Sequence, residues 1–295
     1  MSTPFRFDAI EAMPTSSLTL LPVSLHVVAS PLYYKSLLIR LLTGTINIQC
    51  NNTGIVIRQR NDYSILGIRK NIRISSKIIS DSISPYSLSE LDSHIISTIG
   101  QNHKFYRELF FEFCNFFYQK QANNPIASFL HLYRVLERIA YCFPLIWASN
   151  TKDYEGTFNK LKQYFSDPKT GELGVLKMFI KGFIDKTLLD APFTLNIISR
   201  HIGWSDDYYK TLKDNIDANE IISCTPNNII TAKYSCILDL VVTVRNRYFH
   251  FLSGANKSFD SQNIADPNEF FLIINEIIIN WFTVIIFKVL EHEMR

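Results

Sequence analysis

The pattern of apolar and polar positions changes near residue 85 of the chain. Before that point, short segments rich in Ile, Val and Leu are separated by Gly, Pro and Asn, as in "LTLLPVSLHVV", "TINIQC", "GIVIRQR" and "SILGIRKNIRISSKII". Apolar runs of this length with turn residues between them are typical of β-hairpins. The sequence therefore predicts a small β-rich N-terminal region over residues 1–84, with one helix over "YYKSLLIRLL".

Beyond residue 85 the apolar residues recur at helical spacing. In "PIASFLHLYRVLERIAYCF" one stripe contains Phe129, Leu132, Leu136, Ile139 and Phe143. The same period predicts helices in "GVLKMFIKGFIDK" and in "NIITAKYSCILDLVVTVRNRYFHF". Ser87, followed three residues later by Glu90, marks a helix start. We therefore expect residues 85–295 to form an α-helical domain, and the whole chain to be mainly α.

The apolar segment "FFLIINEIIINWFTVIIFKVL", residues 270–290, is long enough to cross a membrane. Its polar residues Glu276, Asn280 and Lys288 form one stripe of the helix surface. A charged residue at mid-span costs about 2.5–3.5 kcal/mol on insertion scales. We therefore predict a helix buried on most sides, partly against a second subunit, with a membrane span as the minor alternative.

Composition narrows the classes of function only a little. The net charge of +3 permits contact with a polyanion but does not require it. The five cysteines contain no C-x-x-C pair, and no two histidines have a metal-ligand spacing, so we expect core thiols, no metal and no cofactor. The first residues contain two acids and no long apolar run. These features together predict a cytoplasmic protein without a membrane partner.

The N-terminal region carries an excess of positive charge. Between residues 18 and 80 one acid, Asp62, stands against eight cations, which are Lys35, Arg40, Arg58, Arg60, Arg69, Lys70, Arg73 and Lys77. One interpretation is a surface that follows a polyanion. The other is the solvated face of a sheet whose edge strand is protected by charge. The sequence leaves both interpretations open.

The most informative segment is "VRNRYFHFLSG", residues 244–254. On a helical wheel the stripe expected to face the core contains Ile237, Val241, Val244 and Tyr248. The opposite face contains Asp239, Thr243, Asn246 and His250, while Arg245 lies roughly 140° from His250. A guanidinium binds phosphate and an imidazole transfers protons near neutral pH, so the two together suit metal-free RNA cleavage. On one ideal helix, however, their side chains do not meet.

The run Arg245-Asn246-Arg247-Tyr248-Phe249-His250 resembles the Arg-polar-x(3–5)-His signature of the HEPN superfamily, and the resemblance covers roughly residues 100–293. It implies a HEPN-like helical bundle. It also implies a metal-independent endoribonuclease of toxin–antitoxin, abortive-infection or other anti-phage systems. Such proteins act as homodimers in which two motifs form one composite site, which would bring Arg245 of one subunit beside His250 of the other.

Carried over by position, Arg245 binds the phosphate of the RNA, Asn246 orients it and His250 is the general acid and base. Arg247 is not a motif position, and its predicted role in substrate binding depends on charge and proximity alone. Glu137, on an earlier helix, either orients the arginine or pairs within its own helix. An antitoxin or a sensor is a further expected partner. The alternative is a non-catalytic HEPN-like module that binds a partner protein or nucleic acid.

Overall fold

The computed structural model describes residues 6–27, 33–140, 142–166, 176, 180, 184–249, 259 and 264–295. In this part the chain is mainly helical and has two small antiparallel sheets, which confirms the predicted mainly-α class. The chain divides into two compact units, Met1–Leu132 with Ile279–Arg295, and Tyr133–Ile278. The division predicted between residues 84 and 85 stays a prediction.

The first unit contains a three-stranded sheet in the order β1-β2-β3, surrounded by helices. Its elements are β1 (Phe7–Glu11), α1 (Thr15–Leu18), a 3-10 turn (Val23–Leu25), α2 (Tyr34–Leu42), β2 (Ile46–Cys50), β3 (Val56–Ile57), α3 (Ser76–Ser82), α4 (Leu88–Ser97), α5 (His103–Gln121), the first part of α6 (Pro125–Ala140) and the end of the last helix. The residues Ile46, Ile48 and Cys50 alternate along β2 and are fully buried, so one face of the sheet packs into the core.

The second unit also contains a three-stranded sheet, in the order β4-β6-β5. Its elements are the end of α6, then α7 (Cys142–Asn150), α8 (Tyr154–Ser166), α9 (Lys186–Leu189), β4 (Pro192–Asn196), α10 (Ile202–Lys213), β5 (Ile221–Thr225), β6 (Ile229–Lys233), a 3-10 turn (Tyr234–Cys236), α11 (Ile237–Phe249) and the first part of α12 (Pro267–Glu293). Helix α11 carries Arg245, Asn246 and Arg247.

Several local expectations in the N-terminal region are confirmed. Helix α2 lies in the segment predicted to be helical, and "TINIQC" contains β2. At the start of α4, Ser87 and Glu90 form the predicted capping box, since each side chain bonds the backbone N–H of the other residue. Two segments whose composition predicts strands form other structures. "LTLLPVSLHVV" contains a 3-10 turn. "SILGIRKNIRISSKII" leads into α3, and its Arg69 forms a single β-bridge with Asp62.

The prediction that one helix runs through residues 228–251 is wrong in its first part. Residues Ile229–Lys233 form strand β6, whose side chains alternate between buried and half-buried. The turn before it contains Pro226, and Asn227 adopts a left-handed φ of 62°, which an Asn tolerates better than most residues. Pro226 and Asn227 are residues typical of a turn, but the region was predicted to be helical throughout, so the hairpin was not predicted. The helix predicted over residues 174–186 falls largely outside the described residues.

Helix α12 is the one helix among the described residues that is long and apolar enough to cross a membrane, and 78% of its most apolar 18-residue window is buried inside the chain. Core helices of soluble proteins have the same length and composition, so this helix alone does not indicate a membrane. Within the first unit the Asn280 side chain is fully buried and donates hydrogen bonds to the carbonyls of Tyr63 and Ile65, at 2.9 and 2.6 Å. This part of the predicted polar stripe therefore anchors a loop.

Candidate functional site

The two faces predicted for α11 are present in the structure. Ile237, Val241 and Val244 are buried, whereas Asp239 and Asn246 on the opposite face are exposed. The buried residues pack α11 against the rest of the second unit, and Asp239 and Asn246 face outward. Tyr248, expected in the core stripe, is half-buried, and its ring centroid lies 5.0 Å from that of Phe271 at a steep angle.

Arg245 is held by an aromatic ring and an amide. Its guanidinium carbon lies 4.9 Å from the centroid of the Tyr133 ring on α6, and Tyr133 itself is only 7% exposed. Its Nη1 donates a hydrogen bond to Oδ1 of Asn246 at 2.9 Å. Both contacts leave the positive charge in place, because neither partner is an acid. Arg245 is therefore oriented without being neutralised.

Arg247, in the last turn of α11, also lies near an aromatic ring. Its guanidinium carbon lies 5.9 Å from the ring centroid of Phe259. The backbone N–H of Phe259 donates to the carbonyl of Arg247 at 3.0 Å, which satisfies one of the last carbonyls of α11. Among the described residues, no carboxylate forms an ion pair with Arg245 or Arg247. The last turns of this helix thus carry two guanidinium groups that no acid of the described part of the chain neutralises.

His250 lies outside the described residues, so its distance from Arg245 stays a prediction. Helix α11 is described as far as Phe249, the residue immediately before it. Burial and, to a smaller extent, the negative charge of Asp266 raise the pKa of Tyr248, so its hydroxyl stays neutral at physiological pH. The structure places Arg245 and Asn246 in contact and Arg247 on the same two turns.

Comparisons with models of known families, with curated proteins and with solved structures found no match to this chain. The HEPN resemblance therefore depends on the sequence of residues 245–250 alone.

The role of Glu137 as an orienting acid finds no support in the described contacts. Glu137 is exposed on α6, one turn from Tyr133, and it forms no ion pair with Arg245. The contact with the guanidinium of Arg245, which the sequence suggested for Glu137, is made by the ring of Tyr133. Sequence reasoning missed this residue because Tyr133 is an ordinary member of an apolar helix, separated from Arg245 by more than one hundred positions.

The cations of the first unit fall into two groups. Arg40 is fully buried and its Nη1 and Nη2 each donate to a carboxylate oxygen of Glu11 at 2.6 Å. Lys35 donates to Glu293 at 2.8 Å, and Arg69 pairs with Asp62. These three cations are neutralised within the fold. Arg58, Arg60, Arg73 and Lys77 form no ion pair with any residue that the structure describes.

Metal ligands do not cluster in the described residues, where no group of three His, Cys, Asp or Glu side chains could hold a metal ion. The cysteines are free thiols, and Cys50, Cys114 and Cys236 are buried. Burial raises the pKa of Cys114 well above its usual value and raises that of Cys236 to about 12. Both thiols are therefore protonated at neutral pH and unsuited to nucleophilic attack.

Proposed function

We propose that the chain is a metal-independent endoribonuclease of anti-phage defence or of a toxin–antitoxin system, acting in the cytoplasm as a HEPN-like homodimer. The observation that supports it is the setting of Arg245. Arg245 has no carboxylate partner among the described residues and is held by the Tyr133 ring and by Asn246, on the last described turns of α11. A guanidinium in this state can bind a phosphate with its remaining N–H groups.

Each residue of the motif has a task in this proposal. The imidazole of His250 removes the proton from a ribose 2′-OH, and the 2′-oxygen attacks the adjacent phosphorus. Arg245 stabilises the negative charge that develops on the phosphate oxygens, Asn246 holds Arg245 in position and Arg247 binds a neighbouring phosphate. The 5′-oxygen leaves with a proton supplied by an imidazole, and the product is a 2′,3′-cyclic phosphate. No step needs a metal.

The dimer is part of the same proposal. Five positions on one helix separate Arg245 from His250 by roughly 140°, so one copy does not bring both side chains to one phosphate. A two-fold axis that pairs the α11 helices would place Arg245 of one protomer beside His250 of the other. An antitoxin or sensor would then control the enzyme by covering this cleft or by preventing the dimer from forming.

A non-catalytic binding module is the second candidate. The observation that favours it is the contact of Arg245 with Tyr133, because an arginine stacked on a nearly buried ring can also serve only to fix two helices. In that case the exposed face of α11 would bind a partner protein or nucleic acid without cutting it.

Cleavage of a 5′-labelled single-stranded RNA in the presence of EDTA distinguishes the two candidates. We expect the wild-type protein to cut, and Arg245→Ala and His250→Ala to lose at least about a hundredfold in rate, as is typical when a general acid or base is removed. Matched controls are Arg200→Ala and His201→Ala, two exposed residues of the same types. Undiminished cleavage by both motif variants, or no cleavage by the wild-type protein, would exclude the ribonuclease.

A further inference from the structure

Residues 58–77, which we call the basic hairpin, contain four cations that form no ion pair with any described residue, namely Arg58, Arg60, Arg73 and Lys77. Here the chain leaves β3, turns at the bridge between Asp62 and Arg69 and returns toward α3. Arg58, Arg73 and Lys77 are exposed and Arg60 is half-buried. The basic hairpin therefore presents several positive charges after Arg69 has been neutralised by Asp62.

Protection of a sheet edge does not explain these charges. Strand β3 ends at Ile57, before the first arginine of the basic hairpin. The carbonyl of Arg60 accepts a hydrogen bond from the N–H of Ile72 at 2.9 Å, so the returning segment already covers this part of the backbone. A cation protects an edge by standing beside unpaired backbone groups. The backbone carbonyl of Arg60 is already hydrogen-bonded, so edge protection does not account for this arginine. The interpretation that remains is a surface that binds a polyanion.

Arg58 and Arg60 share one face of the chain. Ile57, which precedes Arg58, and Gln59, which lies between the two arginines, are buried, so the two arginines point to the same exposed side. Nη1 of Arg60 donates to Oδ1 of Asn47 at 2.9 Å and to the carbonyl of Gln59 at 3.0 Å, which fixes the guanidinium. Burial and the neighbouring charge of Arg58 lower the pKa of Arg60. An anion bound between the two arginines would relieve this repulsion.

We propose that the basic hairpin, with Arg58 and Arg60 at its centre, binds the phosphodiester backbone of single-stranded RNA. The choice of RNA rests on the proposed function. The same face of the chain adds the amide of Asn47 and the exposed Val56, which is 40% exposed. Amides can bond base edges and apolar side chains can contact bases and sugars, whereas an acidic peptide offers no bases. These neighbours favour nucleic acid over an acidic protein.

The test measures binding without cleavage. The probe is a fluorescent 2′-O-methyl oligouridylate of about twelve nucleotides, which has no free 2′-OH to attack the phosphate, and the readout is fluorescence anisotropy at several salt concentrations. We expect Arg58→Ala/Arg60→Ala to bind at least about tenfold more weakly. The binding should also depend less on salt, since each lost phosphate contact makes the negative slope of log K against log salt shallower by about 0.7 for single strands.

The matched control is Lys210→Ala/Lys213→Ala, which removes the same charge from exposed positions of α10. Equal weakening in the control, or unchanged affinity in the arginine variant, overturns the proposal, provided that thermal melting shows both proteins folded. Competition by polyglutamate as strong as that by oligouridylate also overturns it, in favour of an acidic protein. Tight, Arg58-dependent binding by a protein that never cuts RNA would support this inference while the proposed ribonuclease fails.

Discussion

Arg40 and Arg245 show two opposite uses of the same side chain. Arg40 is fully buried, and besides Glu11 it bonds the carbonyls of Leu25 and Thr45 at 3.0 and 2.9 Å. Arg245 is half-buried and contacts an aromatic ring and an amide. The charge of the first arginine is paired with a carboxylate inside the protein, whereas the contacts that the structure describes for the second include no acid. The comparison separates an arginine that maintains the fold from one that, in the proposed function, binds phosphate.

The largest effect should come from removing Arg40. Arg40→Met leaves the carboxylate of Glu11 without its partner and two carbonyls without a donor, and breaking a buried pair on one side typically costs about 3–5 kcal/mol. Arg245→Ala should cost less, about 1–2 kcal/mol of the free energy of unfolding, because it removes the contact with the Tyr133 ring but leaves no buried charge behind. Urea denaturation of both variants measures the difference. Similar losses in the two proteins would remove the distinction between them.

Glu293 should make the first unit sensitive to acid. Burial raises its pKa, but the hydrogen bond with His94 and the charge of Lys35 outweigh burial and lower the pKa to about 2. A carboxylate whose pKa is lower in the folded than in the unfolded state stabilises above the unfolded value of 4.5 and loses this contribution as the pH falls toward 2. The contribution is at most about 3 kcal/mol.

Denaturation at a series of pH values checks the contribution of Glu293. We expect Glu293→Gln to be less stable than the wild-type protein at pH 7 and to lose less stability between pH 4.5 and 2. Glu137→Gln, at an exposed position, is the control and should behave like the wild-type protein. Parallel acid profiles for all three proteins would contradict the role given to Lys35 and Glu293.

A smaller effect should follow from replacing the ring under Arg245. Tyr133→Leu removes a cation–π contact of about 1–2 kcal/mol, which corresponds to roughly five- to thirtyfold in KM for RNA. Tyr133→Phe keeps the ring and should stay near the wild-type value. If Tyr133 acts by positioning Arg245, Tyr133→Leu should add little to the loss already caused by Arg245→Ala. Additive losses in the double variant would assign Tyr133 a separate role.

Local features could be predicted from the sequence because their causes lie within a few residues. The capping box of Ser87 and Glu90 and the buried stripe of Ile237, Val241 and Val244 follow from spacings of three and four. The turn at Asn227 is equally local, but its signal was outweighed by the apolar run that follows it. As a result, a helix was predicted where strand β6 lies, and the second sheet was not predicted.

The partners of the charged residues could not be predicted in this way. Glu11 meets Arg40 across 29 positions and Glu293 meets Lys35 across 258, and no periodicity connects such residues. For the same reason the eight N-terminal cations looked alike in the sequence. The structure separates the neutralised Lys35, Arg40 and Arg69 from Arg58, Arg60, Arg73 and Lys77, which form no ion pair with a described residue.

Complementation between two inactive variants tests the composite site most directly. Arg245→Ala and His250→Ala chains would be co-expressed with different tags, purified through both tags and assayed on single-stranded RNA with EDTA. Each variant alone should be inactive, and the heterodimer should regain about half of the wild-type rate, since one of its two symmetry-related Arg245/His250 pairs is intact. A heterodimer as inactive as its parents would contradict an active site shared between two protomers.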